Sequence, residues 1–331
     1  MTISLALVTG GNGFIGSNLC RILRAADIPV RALVLPGEKV DGLTALGVEV
    51  VRGDITQPLA AATFAGVSHV FHLAALPFDW GPYDLFERVN VQGTRHVLDG
   101  AIAAGVPRFL HVSSLAVHAY TGHAAGDENT PRDADINAYA ITKREAEEVV
   151  LARREAIHVT LVRPGVCPYG PGDRLSLPGI VEALDKGIYR HVGGGHTRVC
   201  LSYVDNLVTG MMQAVQRDGA SGEAFVLCDD VVSWRDFVTA IAREFGRPVP
   251  TGSLPFGLAW AAAIALETVY RLLPLKGAPA LTRYRISLFR GDLVFSSDKA
   301  REAFGYRPAI GLQEGLRRTR QWLQENGIVK A

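Results

Sequence analysis

The chain has 331 residues, 48% of them hydrophobic and 20% charged, and its 34 Lys and Arg against 33 Asp and Glu leave a net charge of +1. A chain of that length buries roughly three-quarters of its extended surface, so it needs no disulfide or metal staple, and the balanced charge argues against a dedicated nucleic-acid binder. Disorder, coiled coil and a disulfide scaffold are excluded as well, and the 35 glycines, which follow no collagen-like period, mark backbone turns.

The segment from Met1 to Gly11 has no basic region ahead of its apolar run, so it is not read as a secretory signal. Ile3–Thr9 is a continuous apolar run that ends in glycines, the pattern of a fully buried parallel strand. Phe14–Ala26 carries a helical stripe. Strands follow at Val30–Leu35, Val48–Val51 and Val67–Leu73, then a long helix over Tyr83–Ala104, a strand at Phe109–Ser113, a long helix over Asp135–Arg154 and a strand at Val159–Arg163. Strand and helix alternating at this spacing predict an α/β fold, a Rossmann-type doubly wound parallel sheet.

After Arg163 the pattern loosens. Residues 164–195 are rich in Pro and Gly; Val204–Val215 and Ala224–Leu227 read as a helix and strand that return to the sheet. The expected division is a nucleotide-binding domain over 1–165, with 199–229 returning to it, and a smaller interleaved substrate lobe over 166–198 and 230–331. Pro248 to Leu266 holds no charge, but prolines and glycines break it, and Glu267 and Arg271 interrupt the helical remainder, about Leu258 to Leu273. That is too short and too polar to span a bilayer. Cys20, Cys167, Cys200 and Cys228 lie far apart without metal-ligand spacing, which reads as reduced thiols in a cytoplasmic, metal-free protein.

Thr9-Gly10-Gly11-Asn12-Gly13-Phe14-Ile15-Gly16 joins the first strand to the first helix. Two registers fit, Gly10/Gly13/Gly16 or Gly11/Gly13/Gly16, and both let the backbone approach a pyrophosphate held at the helix N-terminus. The second strand ends in Leu35-Pro36-Gly37-Glu38-Lys39. No arginine occupies that turn, which favours NAD while leaving NADP open. Asp54-Ile55 ends the third strand beside the adenine edge, and Leu73, Ala74 and Ala75 end the fourth with small residues a cofactor can approach.

Tyr139 and Lys143 stand four residues apart on a predicted helix and so share a face. An ammonium beside a phenol favours the phenolate and brings Tyr toward acid–base chemistry. Val112-Ser113-Ser114 ends the fifth strand, where a serine hydroxyl can polarise a carbonyl.

Together with Asn90-Val91-Gln92-Gly93-Thr94, Arg163-Pro164-Gly165 and Tyr203-Val204-Asp205-Asn206, these motifs resemble the extended short-chain dehydrogenase/reductase superfamily over nearly the whole chain. The resemblance implies that Tyr139 and Lys143 are catalytic, that Ser114 rather than Ser113 supports them, and that Lys143 also holds the nicotinamide ribose. It implies cofactor contacts at Gly10, Asn12, Gly13, Phe14, Ile15, Gly16, Leu35, Asp54, Ile55, Leu73, Ala74, Ala75, Val112, Ser113, Pro164, Gly165 and Val166, and a homodimer through the two long helices. One departure is His118-Ala119, where the superfamily often has Tyr-Gly. The second half, with Asp79-Trp80-Gly81-Pro82-Tyr83, Ala278–Arg283 and the apolar insertion Leu254–Leu273, is most similar to the 3-beta-hydroxysteroid dehydrogenase-like group.

The expected function is NAD(P)-dependent interconversion of a secondary alcohol and a ketone on a hydrophobic, steroid-like or long-chain, substrate. The alternatives are a nucleotide-sugar epimerase or dehydratase and, from another class, a non-catalytic protein that kept the fold. Thr268 to Gly291 carries five basic residues and no acid. That run reads as a solvated basic face, a contact for anionic headgroups, or a site for a phosphate-bearing carrier or a nucleotide-sugar diphosphate, and it places any peripheral membrane contact within 254–290.

Overall fold

The structure is a computed structural model that describes residues 2–273 and 275–330. Seven strands form the main sheet: β1 (Ala6–Thr9), β2 (Val30–Val34), β3 (Glu49–Arg52), β4 (His69–His72), β5 (Arg108–Val112), β6 (His158–Pro164) and β7 (Glu223–Leu227). Their order is β7-β6-β5-β4-β1-β2-β3, and every pairing is parallel. The order reverses between β1 and β4, which opens a crevice at the carboxyl ends of those strands. β1 and β4 are buried along their whole length, as their unbroken apolar runs require of strands covered on both faces.

Alternation along the strands divides the core in two. Ala6 and Val8 point to one face, where helices α1 (Phe14–Ala25) and Val204–Gln216 contribute Leu19, Leu23, Leu207 and Met211. Leu7 points to the other, with Val70, Phe109 and Val159 under the helices Gly93–Ala103 and α2 (Ala138–Leu151). The expected long helix over 83–104 is a single path in three pieces, α-helical at Tyr83–Phe86, a π-turn at Glu87–Gln92, then Gly93–Ala103.

A second sheet, absent from the sequence reading, takes in Val231–Ser233, Arg198–Tyr203, Leu293–Phe295, His123–Gly126 and Cys167–Tyr169. Segment 199–229 therefore divides: Arg198–Tyr203 runs in this second sheet, while the following helix and β7 pack with the main one. Among the described residues no helix is long and apolar enough to cross a membrane, and no three His, Cys, Asp or Glu side chains gather as a metal would need.

Candidate active site

All the candidate residues lie along the carboxyl edge of the main sheet or on helices that start there. The glycine loop follows β1. Gly10 has φ +66°, and a Cβ there would meet Ala74 N and Cα at 3.0 Å; a Cβ on Gly16 would fall 2.1 Å from Gly10 O. Gly11 instead faces the Ala32 side chain, within the sheet. The register that needs glycine for the turn is thus Gly10/Gly13/Gly16. Gly13 donates its N–H to Gly10 O at 2.9 Å and starts α1 without a side-chain cap or an acid in the first turn. That leaves an uncapped helix N-terminus behind a Cβ-free cradle, which fits a dinucleotide pyrophosphate. Phe14 and Ile15 are half-buried and pack on the sheet core, while the exposed Asn12 donates to Lys39 O at 3.0 Å.

Leu35 is exposed beyond β2. Its turn has an arginine after all, brought from β3: Arg52 donates to Leu35 O and Glu38 O, each at 3.2 Å. Asp54 is exposed and closes a local turn through Thr56 N, whereas Ile55 is buried and its carbonyl meets the His96 ring at 2.8 Å.

The end of β4 is fixed by a buried chain of hydrogen bonds whose direction can be worked out. Thr94 Oγ1 donates to Asn90 O at 2.6 Å, so it accepts from His72 Nε2 at 2.9 Å. His72 Nδ1 then accepts from Thr9 Oγ1 at 2.8 Å, and Thr9 Oγ1 accepts the N–H groups of Leu73 and Ala74 at 3.1 and 3.2 Å. The chain requires neutral His72, and burial, helped by the Lys143 charge, lowers its pKa to about 3. Leu73, Ala74 and Ala75 are thereby held half-buried at the crevice. Asn90, in the π-turn, ties the next residue to α2: it accepts from Leu76 N at 2.8 Å and donates to Thr142 Oγ1 at 3.1 Å.

Ser114, Tyr139 and Lys143 come together between β5 and α2. Asn137 caps α2 by accepting from Ala140 N at 2.8 Å, which sets where the helix begins and so where Tyr139 points. The Ser114 hydroxyl hydrogen-bonds the Tyr139 phenol; burial raises the phenol's pKa and this bond opposes the rise. Lys143 is buried, donates Nζ to Val112 O at 2.7 Å, and has its pKa lowered to about 8 by burial against the opposing charge of Glu147. The sequence-based expectation of a phenol lowered by Lys143 differs from this: burial governs Tyr139, and the ammonium donates to the strand carbonyl of Val112. Ser113 is buried beside them and donates its N–H to Val162 O at 2.8 Å.

Glu147, one turn beyond Lys143, was not singled out from sequence, although its i+4 spacing marks the same face. It is fully buried and accepts from Arg163 Nε and Nη2, both at 2.8 Å, and from Arg132 Nη1 at 3.0 Å. Burial works to raise its pKa, but the Arg163 hydrogen bonds and charge hold the carboxyl below the usual range. Arg163 Nη1 also approaches His118 Nε2 at 3.5 Å. Pro164 and Gly165 are buried, with Val166 half-buried beside them, where β6 meets the second sheet; a Cβ on Gly165 would lie 2.8 Å from Cys200 O.

Two segments 200 residues apart in sequence close over the site. Asp79 accepts from Thr282 Oγ1 at 2.5 Å and from Arg285 Nη2 at 2.8 Å. Trp80 lies edge-on to Tyr270 and under the Arg271 guanidinium. Tyr284 stands edge-on to Tyr139, with ring centroids 6.3 Å apart, and hydrogen-bonds Tyr120. Neither Tyr120 nor Tyr284 carries a motif, so neither was legible as a site residue. Clefts of about 350 Å³ flank this cluster, one lined by Trp80, Ile136, Ala138 and Tyr284, the other by Tyr120, Ile136, Trp260 and Arg290.

Residues 6–228 match the NAD dependent epimerase/dehydratase family. The chain is 33% identical to the 2-alkyl-3-oxoalkanoate reductase of Stenotrophomonas maltophilia (strain K279a), over 94% of this chain and 97% of that one. It is 35% identical to the 4-hydroxy-2-methyl-3-oxo-4-farnesyl-3,4-dihydroquinoline-1-oxide ketoreductase of Stigmatella aurantiaca, over 95% of each. The solved structure of gox2253 superposes with a TM-score of 0.82 at 27% identity, covering 99% of this chain and 100% of the other. The chain belongs to the NAD dependent epimerase/dehydratase family and is an enzyme of the extended short-chain dehydrogenase/reductase type.

Proposed function

We propose that this enzyme is a ketoreductase that interconverts a ketone and a secondary alcohol on a hydrophobic, steroid-like or long-chain, substrate. The observation that carries the reading is the Ser114–Tyr139 hydrogen bond beside a buried Lys143, near clefts where Trp80, Ile136 and Trp260 stand among charged side chains such as Asp79 and Arg271. Residues 1–165, with 199–229 apart from its second-sheet strand, hold the dinucleotide, and 166–198 with 230–331 the substrate. Gly10, Gly13 and Gly16 with the α1 N-terminus take the pyrophosphate; Leu35, Asp54 and Ile55 border the adenosine, and Leu73–Ala75, Val112, Ser113 and Pro164–Val166 the nicotinamide half. When bound, NAD supplies the hydride chemistry.

The protein's own task is the proton and the oxygen. Ser114 orients the carbonyl oxygen. Tyr139, kept protonated at neutral pH by burial, gives its proton to the oxygen of the forming alcohol. Lys143 places a positive charge where the phenolate forms and stabilises it. A homodimer through the helices at 83–103 and 138–151 belongs to the same reading. The two ketoreductase-type relatives support a redox outcome over a sugar epimerisation.

The test follows NADH absorbance with branched 3-oxo acids and 3-oxosteroids. Wild type consumes NADH in step with ketone, and Tyr139→Phe loses at least about 100-fold in kcat while still binding NADH by fluorescence. Normal turnover by the variant overturns the assignment of Tyr139. No net NADH consumption, with interconversion of a UDP-sugar, overturns the reductase in favour of an epimerase.

A further inference from the structure

A surface helix of a water-soluble protein turns its apolar stripe inward and its polar side to solvent. The helix Phe256–Leu272 is built the other way round. Its buried positions are Ala259, Ala263 and Glu267, two small residues and a carboxylate. Glu267 is occupied inward, accepting the Arg283 N–H at 2.7 Å and Arg283 Nε at 2.8 Å. At 3.6 residues per turn, the opposite side carries Leu258, Ala261, Ala265, Thr268, Val269 and Leu272, one hydroxyl and no charge among them. Leu258 is 61% and Leu272 77% exposed. Ile264, Leu273 and Leu275, all exposed, widen and extend the stripe.

The charges that follow are of one sign. Of the five basic residues in 268–291, Arg271 and Arg283 face Glu267 and Arg285 faces Asp79. Lys276 and Arg290 have no ion pair among the described residues.

We propose that this stripe is a docking surface for an anionic lipid bilayer, on which the helix lies flat with Leu258, Val269 and Leu272 at the acyl boundary. Its 17 residues span about 25 Å, too short to cross a hydrocarbon core of about 30 Å and suited to lying along its surface. A second copy fits less well. A two-fold contact brings the patch against itself, and since 268–291 holds no acid it offers no partner to Lys276 and Arg290 from that segment, whereas anionic headgroups neutralise them. Trp260, on the same helix, lines the cleft beside Tyr120 and Arg290, so docking sets that cleft beside the lipid phase. The proposal goes beyond the ketoreductase reading and does not depend on it.

The test is flotation of the full chain with extruded vesicles of phosphatidylcholine, with and without phosphatidylglycerol, and it involves no turnover. The chain floats with phosphatidylglycerol vesicles at low salt and only weakly with phosphatidylcholine alone. Leu258→Gln/Leu272→Gln lowers partitioning by about 10-fold or more, with an unchanged melting temperature because both side chains face outward. Lys276→Gln lowers it about 5-fold on anionic vesicles. Absence of flotation with phosphatidylglycerol overturns the proposal, as does equal flotation of the double variant. So does sedimentation without lipid in which wild type is a dimer and the double variant a monomer, which would assign the stripe to self-contact.

Discussion

At the scale of single residues, the proposed chemistry rests on how Lys143 is kept charged in a dry place. Burial pulls its pKa down to about 8, and Glu147 is the group that works against that pull. In the folded protein the ammonium is therefore lost as pH rises through about 8, so kcat/KM for ketone reduction should fall above that value. Glu147→Gln removes the opposing charge and leaves burial alone, which moves the alkaline limb to lower pH by a unit or more. The same change strips the Arg163 guanidinium of its buried counter-charge, at a cost of about 3 kcal/mol or more. A pH–rate profile and a urea titration of one variant check both statements. A purely structural Glu147 would lower stability and leave the limb where it was.

At the scale of elements, the glycine loop shows how a short motif acts through backbone distances. Gly16→Ala places a methyl 2.1 Å from the Gly10 carbonyl, inside a turn with nowhere to move, whereas Gly13→Ala meets only that carbonyl, at 3.2 Å. Gly16→Ala should raise the Kd for NADH at least about 100-fold, since the turn that aims the α1 N-terminus is lost. Gly13→Ala should fold normally and weaken binding by crowding the pyrophosphate. Equal, modest effects from both would show that the turn does not cradle the dinucleotide. The order of strands and helices around this loop was legible because buried parallel strands are unbroken apolar runs such as Ala6–Thr9. The second sheet was not: its strands are three to six residues long and find partners far away, as Leu293 does opposite His123 and Val199 opposite Leu293. No local period records such a pairing. In the site, residues at fixed spacing on one element, such as Tyr139 and Lys143, could be read in advance. Tyr284 and the Asp79–Arg285 contact arise only when separate segments meet.

At the scale of the whole molecule, the core of the main sheet carries several histidines that must stay neutral. His69 and His72 lie on β4 and His111 on β5, with His118 just beyond, and all four are buried. Burial lowers His72 to about 3, His69 and His118 to about 4, and His111 well below its ordinary value. The unfolded chain takes up these protons as pH falls through about 6.5, but the folded chain refuses them until about 4 or below. Unfolding near pH 5 therefore binds extra protons, and the associated stability is complete above pH 6.5 and lost as pH falls toward 4. With three to four such sites the free energy of unfolding should drop by about 4–5 kcal/mol per pH unit around pH 5. Urea midpoints measured from pH 7 to pH 4.5 give that slope directly, and a slope of one proton or less would mean the histidines are protonated in the fold. Because the His72 chain also positions Thr9, Leu73 and Ala74, NADH affinity should fail over the same pH range as the fold, and the two losses should track each other.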